Sequence, residues 1–125
     1  MKLNNLIQAR NIISRFTQKE LSANLAYKLM KFLKMSDSED IFYNERLTAI
    51  IQQYAERDAD GKYIREKDSL RIMKDKVDEC REAINELNDM DVDKPKIELH
   101  LEELKELKLS IKEISYLDEL IIEEE

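Results

Sequence analysis

From Leu70 to Leu87 the chain places an apolar residue at every third or fourth position without a miss: Leu70, Met73, Val77, Cys80, Ile84 and Leu87. Charged residues fill nearly all the positions between them, so the spacing predicts a long helix with one apolar seam, packed antiparallel at a shallow angle in coiled-coil style. Upstream, Tyr43, Leu47, Ile50, Ile51 and Tyr54 repeat the same spacing. Between the two runs lies a polar turn, Asp58-Ala59-Asp60-Gly61-Lys62-Tyr63. The stretch Ile41 to Leu87 therefore reads as a helical hairpin on which the rest of the chain docks.

The flanks extend an all-α reading. Leu3, Leu6, Ile7, Ile13 and Phe16, with Ile12 beside them, form one stripe on a first helix. Thr17 and Glu20 have the form of a capping box, which predicts that a second helix starts there. Its face runs through Leu21, Leu25, Ala26, Leu29, Met30 and Leu33, while Lys28, Lys31 and Lys34 step along another side. Ser36 to Asp40 interrupts the pattern and itself contains a box-like Ser36 and Glu39. A kink or restart is open at that point, but no Gly or Pro enforces one, which favours a helix that runs through.

Pro95 ends the seam helix. Beyond it, Ile97, Leu99 and Leu101 alternate as in a strand, whereas Ile97, Leu101, Leu104 and Leu107 would line a helix. A short extended piece near 96–100 followed by a brief helix is the preferred reading. Ser110 and Glu113 then make a second capping box, which opens a last helix with Ile111, Ile114, Leu117, Leu120 and Ile121 as its apolar positions. It closes on Glu123-Glu124-Glu125, where acids oppose the C-terminal dipole and favour fraying. The expected helices thus span about 3–16, 18–57, 66–89 and 111–122, in a single helical domain covering all 125 residues.

Charge is distributed unevenly. Residues 1–34 carry seven basic residues (Lys2, Arg10, Arg15, Lys19, Lys28, Lys31 and Lys34) against one acid, Glu20, whereas the whole chain is at −7. Such polarity suits head-to-tail self-contact, or a basic end that meets an anion. Helical surfaces also carry lysines simply as solvated faces. With a pI near 4.9 and no aromatic residues interleaved with the basic ones, nucleic acid is not the expected partner. A strongly acidic surface can instead occupy another protein's cationic groove.

The residues offer little catalytic equipment, and no enzyme activity and no cofactor are expected. One His100 and one Cys80 cannot assemble a zinc site within a monomer. Cys80 sits on the seam, where a small apolar residue belongs. Glu56, Asp58, Asp60 and Gly61 match positions 1, 3, 5 and 6 of a calcium loop, but Lys67 stands where the bidentate acid is required, so the segment reads as a turn capped by Gly61 and no metal is expected. Asp75, Glu79, Glu82 and Glu86 lie between seam residues and face water in this reading. No apolar run is long enough to span a membrane, and a lone cysteine fits a reducing compartment.

Leu25-Ala26-Tyr27-Lys28-Leu29, then Tyr54-Ala55-Glu56-Arg57-Asp58-Ala59-Asp60-Gly61-Lys62-Tyr63, and finally Leu117-Asp118-Glu119-Leu120-Ile121 resemble a family of small uncharacterised helical proteins of tailed phages and prophages of Gram-positive bacteria. The resemblance implies a setting, the cytoplasm of the bacterial host cell, and a non-enzymatic accessory or assembly role exerted through protein–protein contact. It supplies no catalytic residues. The alternative is an inhibitor of host antiviral defence, which would block a defence enzyme with its acidic surface or sequester a nucleotide signal at an oligomer interface. Expected partners are a second copy of the chain, a phage or host protein, and a small anionic ligand. The residues to examine for that ligand are Arg10, Arg15, Tyr27, Lys28 and Lys31.

Overall fold

In a computed structural model, which describes residues 1–122, the fold is dominated by helices, with a few two-residue strands. The centre of the molecule is α1 (Leu3–Ser14), half of which is buried: Leu3, Leu6, Ile7, Ala9, Ile12 and Ile13. Apolar positions on more than one face let it serve as the axis against which every other helix packs. The expected pair of long helices is present only in shortened form, Asp37–Tyr54 packed on Val77–Asn88, and the N-terminal helix packs against both.

The first helix closes with tightened turns, Arg15 N–H donating to Ile12 O and Phe16 N–H to Ile13 O. Thr17 Oγ1 donates back to Ser14 O at 3.2 Å, so it completes α1 and does not cap α2. The next helix, α2 (Ala23–Met35), begins later than expected, after Ser22. The Ser22 backbone N–H and hydroxyl both donate to the carboxylate of Glu106, each at 2.7 Å. The acid that the capping reading assigned to Glu20 comes from 84 positions downstream.

The helix expected over 18–57 is bent rather than continuous. Ser36, fully buried, separates α2 from α3 (Asp37–Tyr54) with φ −99° and ψ 4°. Ser36 closes one helix and opens the next: its N–H donates to Phe32 O at 3.0 Å and its carbonyl accepts from Asp40 N–H at 3.1 Å. Together α2 and α3 form one bent rod whose inner stripe includes Leu25, Leu29, Phe32, Ser36 and Ile50.

The largest departure lies between Tyr54 and Val77. The expected helix over 66–89 shrinks to α4 (Val77–Asn88), preceded by a single 3₁₀ turn at Lys74–Lys76. Leu70 and Met73 satisfied the helical spacing but lie outside any α-helix. Residues 55–73 fold into a small knuckle. Within it β1 (Arg65–Glu66) and β2 (Ser69–Leu70) pair antiparallel, and bridges join Ala55 to Ile72 and Arg57 to Tyr63. Glu56 is the hub, its N–H donating to Arg71 O at 2.7 Å and its carbonyl accepting from Ile64 N–H at 3.0 Å. Two tight loops close the ribbon. In one, Gly61 adopts φ 79° and Asp58 Oδ1 accepts from the Asp60 and Lys62 amides; in the other, Lys67 adopts φ 55°. With 12 residues, α4 is far shorter than the three to four heptads that define a coiled coil.

After α4 the chain crosses the start of α1: Leu3 N–H donates to Met90 O and Val92 N–H to Met1 O. Pro95, Ile97 and Leu99 are buried while Lys96 and Glu98 are exposed, the period-two pattern of an extended chain. Here β3 (Leu99–His100) pairs in parallel with β4 (Ile121–Ile122). Between them come a 3₁₀ turn at Glu103–Glu106, then α5 (Ile111–Leu117) with the Ser110–Glu113 capping box fully formed, and a closing 3₁₀ turn at Asp118–Leu120. The last expected helix, 111–122, thus keeps seven α-helical residues before it tightens into the 3₁₀ turn. The Glu123–Glu125 end, read as fraying, lies outside the described residues.

Candidate functional site

The charge polarity of the sequence is largely consumed inside the molecule. Arg15 pairs with Glu113 on α5. Lys19 Nζ donates to Glu106 O at 2.6 Å, and Lys28 Nζ meets Glu103 Oε1 at the same distance. Lys2 pairs with Asp91 at 3.4 Å. A row of carboxylates in the C-terminal segment clasps the basic N-terminal third, which is how residues far apart in sequence close over α1.

Their ionisation follows from these contacts. Glu103 is partly buried, which alone would raise its pKa; the bond and charge of Lys28 and the His100 backbone N–H outweigh that and hold it below the usual carboxylate range. Glu106 is held low first by the Ser22 hydroxyl and amide. Glu113 is held low first by the Ser110 amide of its capping box, with Arg15 adding to the effect.

Arg10 has a separate task. Its side chain is only 16% exposed and reaches the bend of the rod, where Nη1 donates to Leu33 O at 2.6 Å and to Ser36 Oγ at 2.8 Å. It also approaches Asp37 at 3.3 Å and Asp40 at 3.5 Å. A cation at the carbonyl end of α2 is favourable to that helix's dipole, and the carboxylates of Asp37 and Asp40 in the first turn of α3 offset its position at an N-terminus.

The five residues read as ligand-binding therefore do not form one site. Arg10 faces the bend, Arg15 faces α5 and Lys28 faces Glu103, and an anion at any of them would have to displace a carboxylate already in place. Tyr27 and Lys31 point outward instead, with Lys31 Nζ 5.9 Å from the Tyr27 ring centroid. Cys80 is buried on α4, and burial pushes its thiol upward, away from what a thiolate nucleophile needs. Among the described residues no three His, Cys, Asp or Glu side chains converge as a metal site, and no helix is long and apolar enough to cross a membrane.

What remains unaccounted for is the outer face of the α2–α3 rod. Tyr27 is 60% exposed, Met30 42%, Met35 39%, Ile41 51% and Phe42 41%, half of the large exposed apolar side chains in the described residues. With Lys31, Lys34, Ser38 and Glu45 they recur at steps of three and four, a second stripe opposite the one that enters the core. Among the described residues neither Lys31 nor Lys34 makes an ion pair. At one end the stripe meets a groove of about 250 Å³ between the end of α1 and α2, lined by Ile13, Phe16, Leu21, Leu29, Met30 and Leu33, with Lys19 at its rim. Sequence reasoning picked Tyr27 and Lys31 but missed Met30, Ile41 and Phe42 as a surface. The signal was present, since helix 18–57 carries more apolar positions than one inward stripe can use.

Searches against protein-family models, curated proteins and solved structures find no match to this chain.

Proposed function

We propose that the protein is a binding module that acts through surface complementarity, with no chemical step, and that the outer face of the α2–α3 rod and its adjoining groove form the surface that binds. The observation that carries this reading is the concentration of exposed Tyr27, Met30, Met35, Ile41 and Phe42 on one helical face beside an apolar groove. A monomer gains nothing from such a stripe, whereas a partner helix with apolar anchors and mixed charge would bury it. Tyr and Met are suited to this use, one as a rigid amphipathic anchor and the other as an adaptable one. In this proposal the module acts as a phage accessory or assembly protein in the host cytoplasm, the setting that the family resemblance implies. Interference with a defence enzyme is the same physical act directed at another target.

A photoreactive amino acid in place of Met30, irradiated in the producing cell, tests the surface. One dominant adduct is expected, absent when the same group replaces Glu82 on α4. No adduct at Met30, or identical adducts from both positions, would discard the reading.

A further inference from the structure

The groove between the end of α1 and α2 has an apolar floor and a basic rim. Among the described residues its lining holds no acid, and Lys19 is the one charged side chain in it. On the α2 side, Lys34 stands one turn beyond Met30, and Lys31 one turn beyond Tyr27, over whose ring it lies. Helix α2 carries Lys28, Lys31 and Lys34 and no Asp or Glu. In a chain with 28 acidic residues against 21 basic ones, a cation has carboxylates to choose from, and Lys28 takes Glu103. Among the described residues Lys31 and Lys34 take none, and Asp37 and Asp40, which follow in α3, are engaged by Arg10. A cationic frame thus surrounds an apolar slot on a protein that is acidic as a whole.

We infer that the segment docking on the α2 half of the rod is an acidic amphipathic helix. Its apolar anchors, three or four residues apart, enter the groove, and Asp or Glu on its flanks meet Lys19, Lys31 and Lys34. The inference rests on the docking reading above and assigns the chemistry of the partner. Between Ala26 and Leu33 the groove runs about 10 Å along α2, room for two turns of such a helix. The chain itself displays the pattern in residues 103–107. There Leu104 and Leu107, three apart, are buried in the core, while Glu103 meets Lys28 and Glu106 accepts from the Ser22 amide and hydroxyl. An acidic segment with spaced leucines is therefore what the α1–α2 unit already holds along one edge, and the groove offers the same combination to a second one. A lysine-rich helix of the same shape would bring cations against Lys19, Lys31 and Lys34, so charge selects between partners.

Two short helical peptides with the same Leu anchors, one with Glu and one with Lys at the flanking positions, test this on the intact protein by fluorescence anisotropy at low salt. The Glu peptide should bind at least about tenfold more tightly than the Lys peptide. Lys31→Glu combined with Lys34→Glu, both at exposed positions, should weaken the Glu peptide about tenfold, strengthen the Lys peptide and leave the far-UV circular dichroism unchanged. A Glu peptide with Ser in place of its Leu anchors should not bind, which separates docking from charge attraction alone. Equal binding of the Glu and Lys peptides overturns the inference, as do indifference to the two charge reversals, equal binding of the peptide without anchors, or no binding of any peptide. The Met30 photoadduct keeps this failure apart from that of the docking reading. Sequenced by mass spectrometry, the adducted segment should be acidic and amphipathic. An adduct to a basic segment or to a second copy of this chain overturns the inference and leaves the docking reading standing, whereas no adduct at Met30 discards both.

Discussion

Arg10 is the most heavily committed side chain in the molecule, and its removal should be felt at the bend. In Arg10→Met the aliphatic stem is kept and the guanidinium is lost. The Leu33 carbonyl at the end of α2 then loses a donor at 2.6 Å, and the Ser36 hydroxyl loses one at 2.8 Å, both in a partly buried place. A hydrogen bond to a charged group contributes about 1.5 kcal/mol at the low end of its range, so these two account for about 3 kcal/mol. The contact with Asp37 adds little, because that carboxylate is well exposed and screened. A loss of about 3 kcal/mol is a large share of the 5–15 kcal/mol typical of a domain, and at this chain length it corresponds to a fall in melting temperature of roughly 12 °C. Urea unfolding followed by far-UV circular dichroism measures it, with Lys31→Met as the control, expected within about 0.5 kcal/mol of the original. If Arg10→Met costs less than about 1 kcal/mol, the clamp is decorative and the bend is held by packing alone.

Three further outcomes follow from the geometry. Glu103, Glu106 and Glu113 all have folded pKa values below their unfolded ones, so they contribute stability above about pH 4.3 and lose it as the pH falls through the lower folded values; acid titration of the melting temperature should show this descent, and the triple Glu→Gln variant should flatten it. Gly61→Ala meets nothing within 4 Å, so its cost is that of a left-handed backbone alone, about 1 kcal/mol by urea unfolding, while Lys67→Gly at φ 55° should gain about 0.5 kcal/mol. Cys80 should react with a disulfide reagent at least 100-fold more slowly in the native protein than in urea, because it is both buried and held protonated.

Local signals in the sequence were legible where a single face had to be buried. The α1 stripe, the inward stripe of Tyr43, Ile50 and Tyr54, and the Ser110–Glu113 box lie where the spacing placed them, because each depends on residues three or four apart. The seam from Leu70 to Leu87 misled because spacing is not hydrogen bonding. Leu70 and Met73 keep helical intervals, but the amides around them pair with Glu56, Ile64 and Tyr54, partners that no local pattern reveals. The Thr17–Glu20 box failed for a related reason, since Glu106 reaches Ser22 from a distant segment and fixes a later start. At the site, Tyr27 and Lys31 were legible as exposed, whereas the ion pairs of Arg15 and Lys28 were not, because a cation in a sequence carries no mark of what faces it.

The carboxylate clasp also bears on when the chain can fold. Arg15 and Glu113 lie 98 residues apart, and α1 receives cover from α5 as well as from its nearer neighbours. During synthesis at about 5–20 residues per second, several seconds pass between the emergence of α1 and that of its last partner. For that interval Leu3, Leu6 and Ile13 have no complete core to enter, so the first helix made is among the last to be protected. A nascent chain of this protein should therefore stay sensitive to proteases, and open to chaperones, until almost its whole length has left the ribosome.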